Sequence, residues 1–189
     1  MKPARASMAL LAIQLVLVSS IAAKFLIDRS HNPHAWARAV VYDPESIMRG
    51  RYLSIPLYAD ACSLPASQTR TDVANANNVP GYLDMADGST FLQGKVGVRN
   101  GRLSVLQIER TKTDSGDQAL IWPQSGNCDE VELWTPVDLY LSETAKSPFP
   151  LQKGQDLWVQ VTVPPSGPPR PISLAIQSAD GKWQPLNFR

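Results

Sequence analysis

Two histidines, His31 and His34, have a His-x-x-His spacing that can hold a metal ion on one face of a helix. No third ligand lies near them in the sequence, so a structural or interfacial role is the favoured interpretation. They are also the only histidines among the 189 residues. A Ser-His-Asp or Cys-His site would have to recruit one from this N-terminal stretch, which argues against such catalysis.

Acidic residues provide the next candidate chemistry. Asp114 and Asp117 could contribute oxygen ligands to calcium, and Asp129, Glu130 and Glu132 could include an acid–base pair for hydrolysis. A solvated turn for Asp114 and Asp117, and exposed strand acids for the other group, are the favoured interpretations, because neither group has the full residue set of a known site. We therefore predict no catalytic residue, no metal site and no cofactor.

Gly50, Arg51 and Tyr52 form the most distinctive short element of the chain. One interpretation is a recognition strand that presents Arg51 and Tyr52 to a partner or an anionic group. The other is a turn glycine that leads the chain into a sheet. We take these three as the candidate ligand- or partner-binding residues. Four tryptophans could also stack on a sugar, although tryptophans of small β domains lie mostly in the core or at its rim: Trp122, Trp134, Trp158 and Trp183.

The elements that must position these residues begin with an apolar N-terminal segment. Lys2 and Arg5 precede a run over residues 8–27 in which Lys24 is the one charge. A basic start ahead of such a run keeps the N-terminus in the cytoplasm and exports the remainder of the chain. Twenty residues span about 30 Å as a helix, enough to cross a membrane. The alternative is a signal peptide cleaved after Ala22 or Ala23. We therefore divide the chain into residues 1–29, a membrane anchor or signal segment, and 30–189, an exported domain.

Cysteine usage agrees with export but leaves the pairing open. Cys62 and Cys128 lie far apart, outside any Cys-x-x-Cys spacing. In an oxidising compartment one disulfide would contribute about 4 kcal/mol by closing a loop of this length. Two buried, unpaired thiols are the alternative.

Short alternating runs and 16 prolines predict a mainly β domain. Residues 52–59 alternate around Pro56, which limits that strand to an edge or a bulge. Asn100-Gly101 between two alternating runs predicts a type I′ hairpin. The cleanest alternation covers residues 157–163 and 172–176, whereas residues 31–39 show no clear period. We expect eight or nine strands in one small antiparallel β-sandwich or open barrel, with a transmembrane helix before it.

Charge excludes one class of partner. Residues 1–29 hold four basic residues and one acid, which leaves 14 basic and 16 acidic residues in the domain. A slightly acidic domain lacks the positive surface that nucleic-acid binding requires, and we predict no nucleic-acid partner.

Asp43-Pro44, followed by Arg49-Gly50 and Tyr52, gives the chain a family resemblance. In this order and spacing the segment resembles the bacterial GDYxxLxY family, which has a Gly-Asp-Tyr-x-x-Leu-x-Tyr motif soon after a transmembrane segment. The resemblance extends to the C-terminal half, over residues 145–146, 154–163 and 167–176. Arg51 stands where the motif has Asp, so no role of that carboxylate is carried over. Ile55 and Leu57 replace the motif's Leu and last Tyr.

The resemblance implies a membrane-anchored exported protein of unknown biochemical function, in a family sometimes encoded beside polytopic membrane proteins. We expect a single-pass protein of the bacterial inner membrane with its C-terminal domain in the periplasm. The first hypothesis for its function is a non-enzymatic interaction module for another envelope protein, such as a polytopic membrane protein. A periplasmic module that binds a small ligand or a glycan, using the strand faces and residues 63–87, is the alternative. A carboxylate-based hydrolase comes third.

Overall fold

A computed structural model describes residues 3–39, 48–49, 52–65, 90–109, 118–123, 125, 127–140 and 151–186. The chain divides into two compact units, Met1–Asn32 and Pro33–Arg189. The first unit contains a helix and the second a β domain.

The helix α1, Pro3–His31, is 29 residues long. Twelve of its large apolar side chains are each at least 55% exposed, so no protein core covers them. Within its segment Ser7–His31 a window of 18 residues has a mean hydropathy of 2.2, so the segment is long and apolar enough to cross a membrane, a test that a signal sequence also passes. The helix ends before Asn32-Pro33, because proline disfavours helical geometry at the residue that precedes it.

The described part of the β domain contains twelve strands. They are β1 (His34–Ala39), β2 (Met48–Arg49), β3 (Tyr52–Ile55), β4 (Leu57–Ala59), β5 (Thr90–Arg99), β6 (Arg102–Glu109), β7 (Gln118–Trp122), β8 (Val131–Leu133), β9 (Val137–Tyr140), β10 (Asp156–Thr162), β11 (Arg170–Gln177) and β12 (Trp183–Leu186).

Six of these strands close into a barrel in the order β1-β4-β8-β7-β5-β6. All neighbours are antiparallel except at the closure, where β1 meets β6 in parallel at Trp36 and Arg102. The Trp36 amide donates to the Gly101 carbonyl at 2.8 Å, and Asp60 continues the seam through bonds to Leu103 and Val105 at 2.9 Å each. On the far side of β1 the sheet continues through β10, β11 and β12, which we call the sheet extension.

Pro56 separates two strands that belong to different sheets. β3 pairs with β2 and β9 in a small three-stranded sheet, whereas β4 joins the barrel. Proline has no amide to donate to a ladder, so the chain leaves one sheet and enters the other at this residue. The predicted alternation persists across the break, since Leu53, Ile55, Leu57 and Ala59 are all buried.

The core combines small residues on β1 with larger ones opposite. Ala35, Ala37 and Ala39 point inward from β1, and Leu57, Leu120 and Leu133 from neighbouring barrel strands belong to the same cluster. A six-stranded barrel has a narrow interior, so alanines on one wall leave room for leucines from the others. Leu157, Val159, Leu174 and Ile176 of the sheet extension continue this single core.

The sequence-based fold class is confirmed: the protein is mainly β, with an N-terminal apolar helix. The barrel is closed by its parallel seam. The hairpin at Asn100-Gly101 is present, with φ values of 52° and 74° that suit a type I′ turn. Residues 34–39, which lie in the stretch without a clear period, form the central strand β1.

Candidate functional site

A cleft of about 110 Å³ lies where barrel strands β4 and β6 meet β1 and the first strand of the sheet extension, β10. Trp36 and Arg38 line it from β1, and residues of the neighbouring elements complete its walls: Tyr58, Asp60, Arg102, Leu103, Asp129, Asp156 and Trp158. The strand register explains why side chains from β1, β4 and β10 come together in the cleft. Arg38 is opposite Tyr58 on one side and Trp158 on the other, and residues directly opposite each other share a sheet face.

Three tryptophans form a cluster beside the cleft. The Trp183 ring lies edge-on to Trp36, with centroids 5.1 Å apart, and tilted against Trp158 at 5.3 Å. Both distances are typical of favourable aromatic pairs. Trp158 is only 8% exposed, and its Nε1 is buried without a hydrogen-bond acceptor in the described part of the chain. A buried donor without an acceptor is costly, so this N–H has unused bonding capacity.

Two guanidinium groups lie over aromatic rings of the cleft. Arg38 is 5.1 Å from the Tyr58 centroid, and Arg102 is 5.3 Å from that of Trp158. Both distances are within the range of cation–π attraction. Arg38 also donates from Nη2 to Glu130 Oε1 at 2.9 Å, so its charge is compensated.

Negative charge prevails around Tyr58. Burial is the main cause that raises the pKa of this phenol, and the carboxylates of Glu132 and Glu130 raise it further against the opposing effect of Arg38. The pKa of Glu130 is lowered, first by a hydrogen bond from Asn127 Nδ2 at 3.0 Å and then by Arg38. A general acid needs a raised pKa to keep its proton at neutral pH, so Glu130 is unsuited to that role.

A disulfide holds the acidic rim of the cleft. Cys62 and Cys128 are bonded, with their Cα atoms 4.8 Å apart. The Ala61 amide donates to the Cys128 carbonyl at 2.7 Å, and the Cys62 amide donates to Asp60 Oδ1 at 2.8 Å. The bridge therefore fixes Asp60 on one segment close to Asp129 on the other.

Of the candidate residues considered from sequence, Asp129 and Trp158 line this cleft. Gly50 and Arg51 are outside the described residues, as are Asp114, Asp117 and residues 66–87 of the predicted loop. Tyr52 begins β3, where its backbone pairs with Tyr140. His31 lies at the end of α1, with Nδ1 3.1 Å from the Ile27 carbonyl oxygen. Within the described ranges, no three His, Cys, Asp or Glu side chains form a group that could hold a metal ion.

The four tryptophans considered for ligand stacking lie in different surroundings. Trp122 is buried in the core and Trp134 is 55% exposed, whereas Trp158 and Trp183 join the cluster. Sequence reasoning missed Trp36, Arg38, Tyr58 and Arg102. A local signal existed for Trp36 and Arg38, which alternate with alanines over residues 35–39, although the longer stretch 31–39 shows no clear period.

Comparison of the chain with protein-family models, with curated proteins and with solved structures finds no match.

Proposed function

We propose that this protein is an exported interaction module, anchored in the bacterial inner membrane by residues 8–27, whose periplasmic β domain contacts another envelope protein without catalysing a reaction. The observation that carries the proposal is an uncovered apolar helix followed directly by a disulfide-bonded β domain. The resemblance to the GDYxxLxY family supports the same placement.

The orientation follows from charge and redox chemistry. Lys2 and Arg5 precede the apolar run and favour a cytoplasmic N-terminus. Disulfides persist in oxidising compartments and are rare in a reducing cytosol. The Cys62–Cys128 bridge therefore supports a domain on the exported side.

The cleft favours a protein partner over a free ligand. Its volume of about 110 Å³ accommodates one small group, whereas sites for drug-sized ligands usually measure about 300–1,000 Å³. The glycan-binding alternative is thus less well supported.

Two measurements test this function. Alkaline phosphatase fused after Arg189 should be active, because it folds only after export; activity of a fluorescent cytoplasmic reporter at the same position would contradict the placement. For the partner, the full chain should be cross-linked in intact cells, purified from solubilised membranes and analysed by mass spectrometry. A matched chain with residues 1–29 replaced by an efficiently cleaved signal peptide separates contacts of the β domain from contacts of the helix. Repeated recovery of the full chain alone would overturn the proposed interaction.

A further inference from the structure

We propose that the cleft between β1, β4, β6 and β10 receives a basic side chain, arginine or lysine, from a protein segment of the partner. This inference rests on the proposed interaction function and specifies its chemistry.

The charges of the lining select a cation. Asp60, Asp129 and Asp156 contribute three carboxylates, and Arg38 and Arg102 contribute two guanidiniums. Glu130 compensates Arg38 at 2.9 Å, so among the described residues the lining has three carboxylates and one guanidinium without an ion pair, that of Arg102. Within the described part of the chain, the carboxylates of Asp129 and Asp156 have no hydrogen bond or ion pair.

The aromatic lining suits the same occupant. Tyr58 and Trp158 already hold guanidiniums against their rings, which shows that the cleft geometry accepts this group. The rings attract cations through their electron-rich faces.

A peptide occupant also carries the kind of hydrogen-bond acceptor that the buried Trp158 N–H lacks. Trp158 lines the cleft, and its Nε1 has no acceptor in the described part of the chain. Arg102 lies over the ring on an exposed side chain, so the ring becomes accessible when Arg102 moves into solvent. A peptide that inserts a basic side chain brings backbone carbonyls with it, and a carbonyl is the acceptor that the indole N–H requires.

The test uses the full chain in detergent micelles, with ¹⁵N-labelled tryptophan, and follows the five indole N–H signals. The probe is the capped tripeptide acetyl-Gly-Arg-Gly-amide. Its matched controls carry citrulline, which keeps the shape and removes the charge, or glutamate. The arginine peptide at millimolar concentration should shift the Trp158 and Trp36 signals saturably, and both controls should bind more weakly. The indole N–H signal that disappears in the Trp158→Phe variant is the signal of Trp158.

Two sets of variants decide the sign of the charge preference. Asp129→Asn with Asp156→Asn should weaken binding of the arginine peptide about tenfold, since each exposed charge contributes modestly. Arg102→Met should strengthen it, because the competing guanidinium is gone. Both aspartates are exposed, so we expect the substitutions to leave the fold intact. Unchanged dispersion of the indole N–H signals in each variant verifies this.

Three results would overturn the inference: tighter binding of the glutamate peptide, loss of arginine-peptide binding in Arg102→Met, or no shift of either indole signal. Its failure is distinguishable from failure of the proposed function. If cross-linking recovers a partner equally well with Asp129→Asn/Asp156→Asn, the interaction function stands and the cleft assignment falls. If no partner is recovered, the function falls, whatever the peptide does.

Discussion

Arg38 on the first barrel strand donates a hydrogen bond to Glu130, 92 residues further along the chain, at 2.9 Å. The same guanidinium lies 5.1 Å from the Tyr58 ring, so one side chain links β1, β4 and the segment that comes after the disulfide. The two side chains of the ion pair are 29% and 33% exposed, which places it at the edge of the cleft and partly out of water.

Arg38→Met should lower the free energy of unfolding by about 1 kcal/mol, because it removes a partly buried ion pair and a cation–π contact. Urea unfolding of the full chain in micelles, followed by tryptophan fluorescence, measures the change. The matched control is Lys182→Met, which removes an exposed pair with Asp180 and should have no measurable effect. Equal stabilities of the two variants would show that Arg38 contributes nothing.

Replacement of both cysteines by alanine should lower the free energy of unfolding by about 4 kcal/mol, since the bridge closes a loop of 66 residues. A reductant should destabilise the wild type and leave the Cys62→Ala/Cys128→Ala variant unchanged. Trapping of thiols with a maleimide in intact cells gives the native redox state. If both cysteines are labelled without prior reduction, the bridge is absent in the cell.

Acid should abolish the contribution of Glu130 to stability. The folded-state pKa of Glu130 lies below its ordinary value of 4.5, so the contribution is present above pH 4.5 and is lost as pH falls through the lower, folded value. The stability difference between the wild type and Glu130→Gln should therefore vanish in strong acid. Asn127→Ala removes the larger cause of the shift and should move the loss to higher pH. A difference that does not change with pH would rule out this linkage.

Leu17→Arg should reduce retention in the membrane, because an arginine at the centre of a transmembrane helix costs about 3 kcal/mol on insertion scales. Leu17 is 57% exposed in α1, which belongs to a compact unit other than the β domain, so we expect the β domain of the variant to fold. Carbonate extraction measures the retained fraction, with Leu17→Ala as the control. The intact mass of the membrane-bound protein distinguishes an anchor from a cleaved signal peptide.

Gly94→Ala should destabilise the barrel by about 1–3 kcal/mol through overpacking. A Cβ at this position would lie 2.7 Å from the Gln107 carbonyl oxygen and 2.8 Å from Leu120 Cδ1, and neither the backbone nor the buried leucine can retreat easily. At Gly97 the obstacle is the exposed side chain of Leu106, which can turn aside. Gly97→Ala should therefore cost less than Gly94→Ala in denaturant unfolding, and the reverse order would contradict this account of the core.

Much of the fold could be predicted because its signals are local. The Asn100-Gly101 turn has the backbone freedom that its hairpin needs. The alternation over residues 52–59 predicted one edge or bulged strand, whereas the structure has two strands in different sheets, divided at Pro56. β1 escaped prediction because its inward residues are alanines, which give a weak hydrophobic signal and have low strand propensity. Alanine nevertheless suits the inward face of β1, since leucines from the other barrel strands fill the interior.

The cleft escaped prediction for a different reason. Its residues come from four strands and a loop that are distant in sequence, and the parallel seam that brings Arg102 beside Trp36 has no local signature. The predicted element at residues 50–52 has conspicuous chemistry within three positions, and a sequence pattern can detect such clustering.

The sequence by itself determined the apolar helix, the β class and the positions of the main turns, because hydrophobic runs, alternation and turn residues act over a few neighbouring positions. Only the tertiary structure decided that the barrel closes, that Cys62 meets Cys128, and that Arg38, Tyr58 and Trp158 share one surface. These relationships depend on strand order and register, which arise from packing across the whole domain.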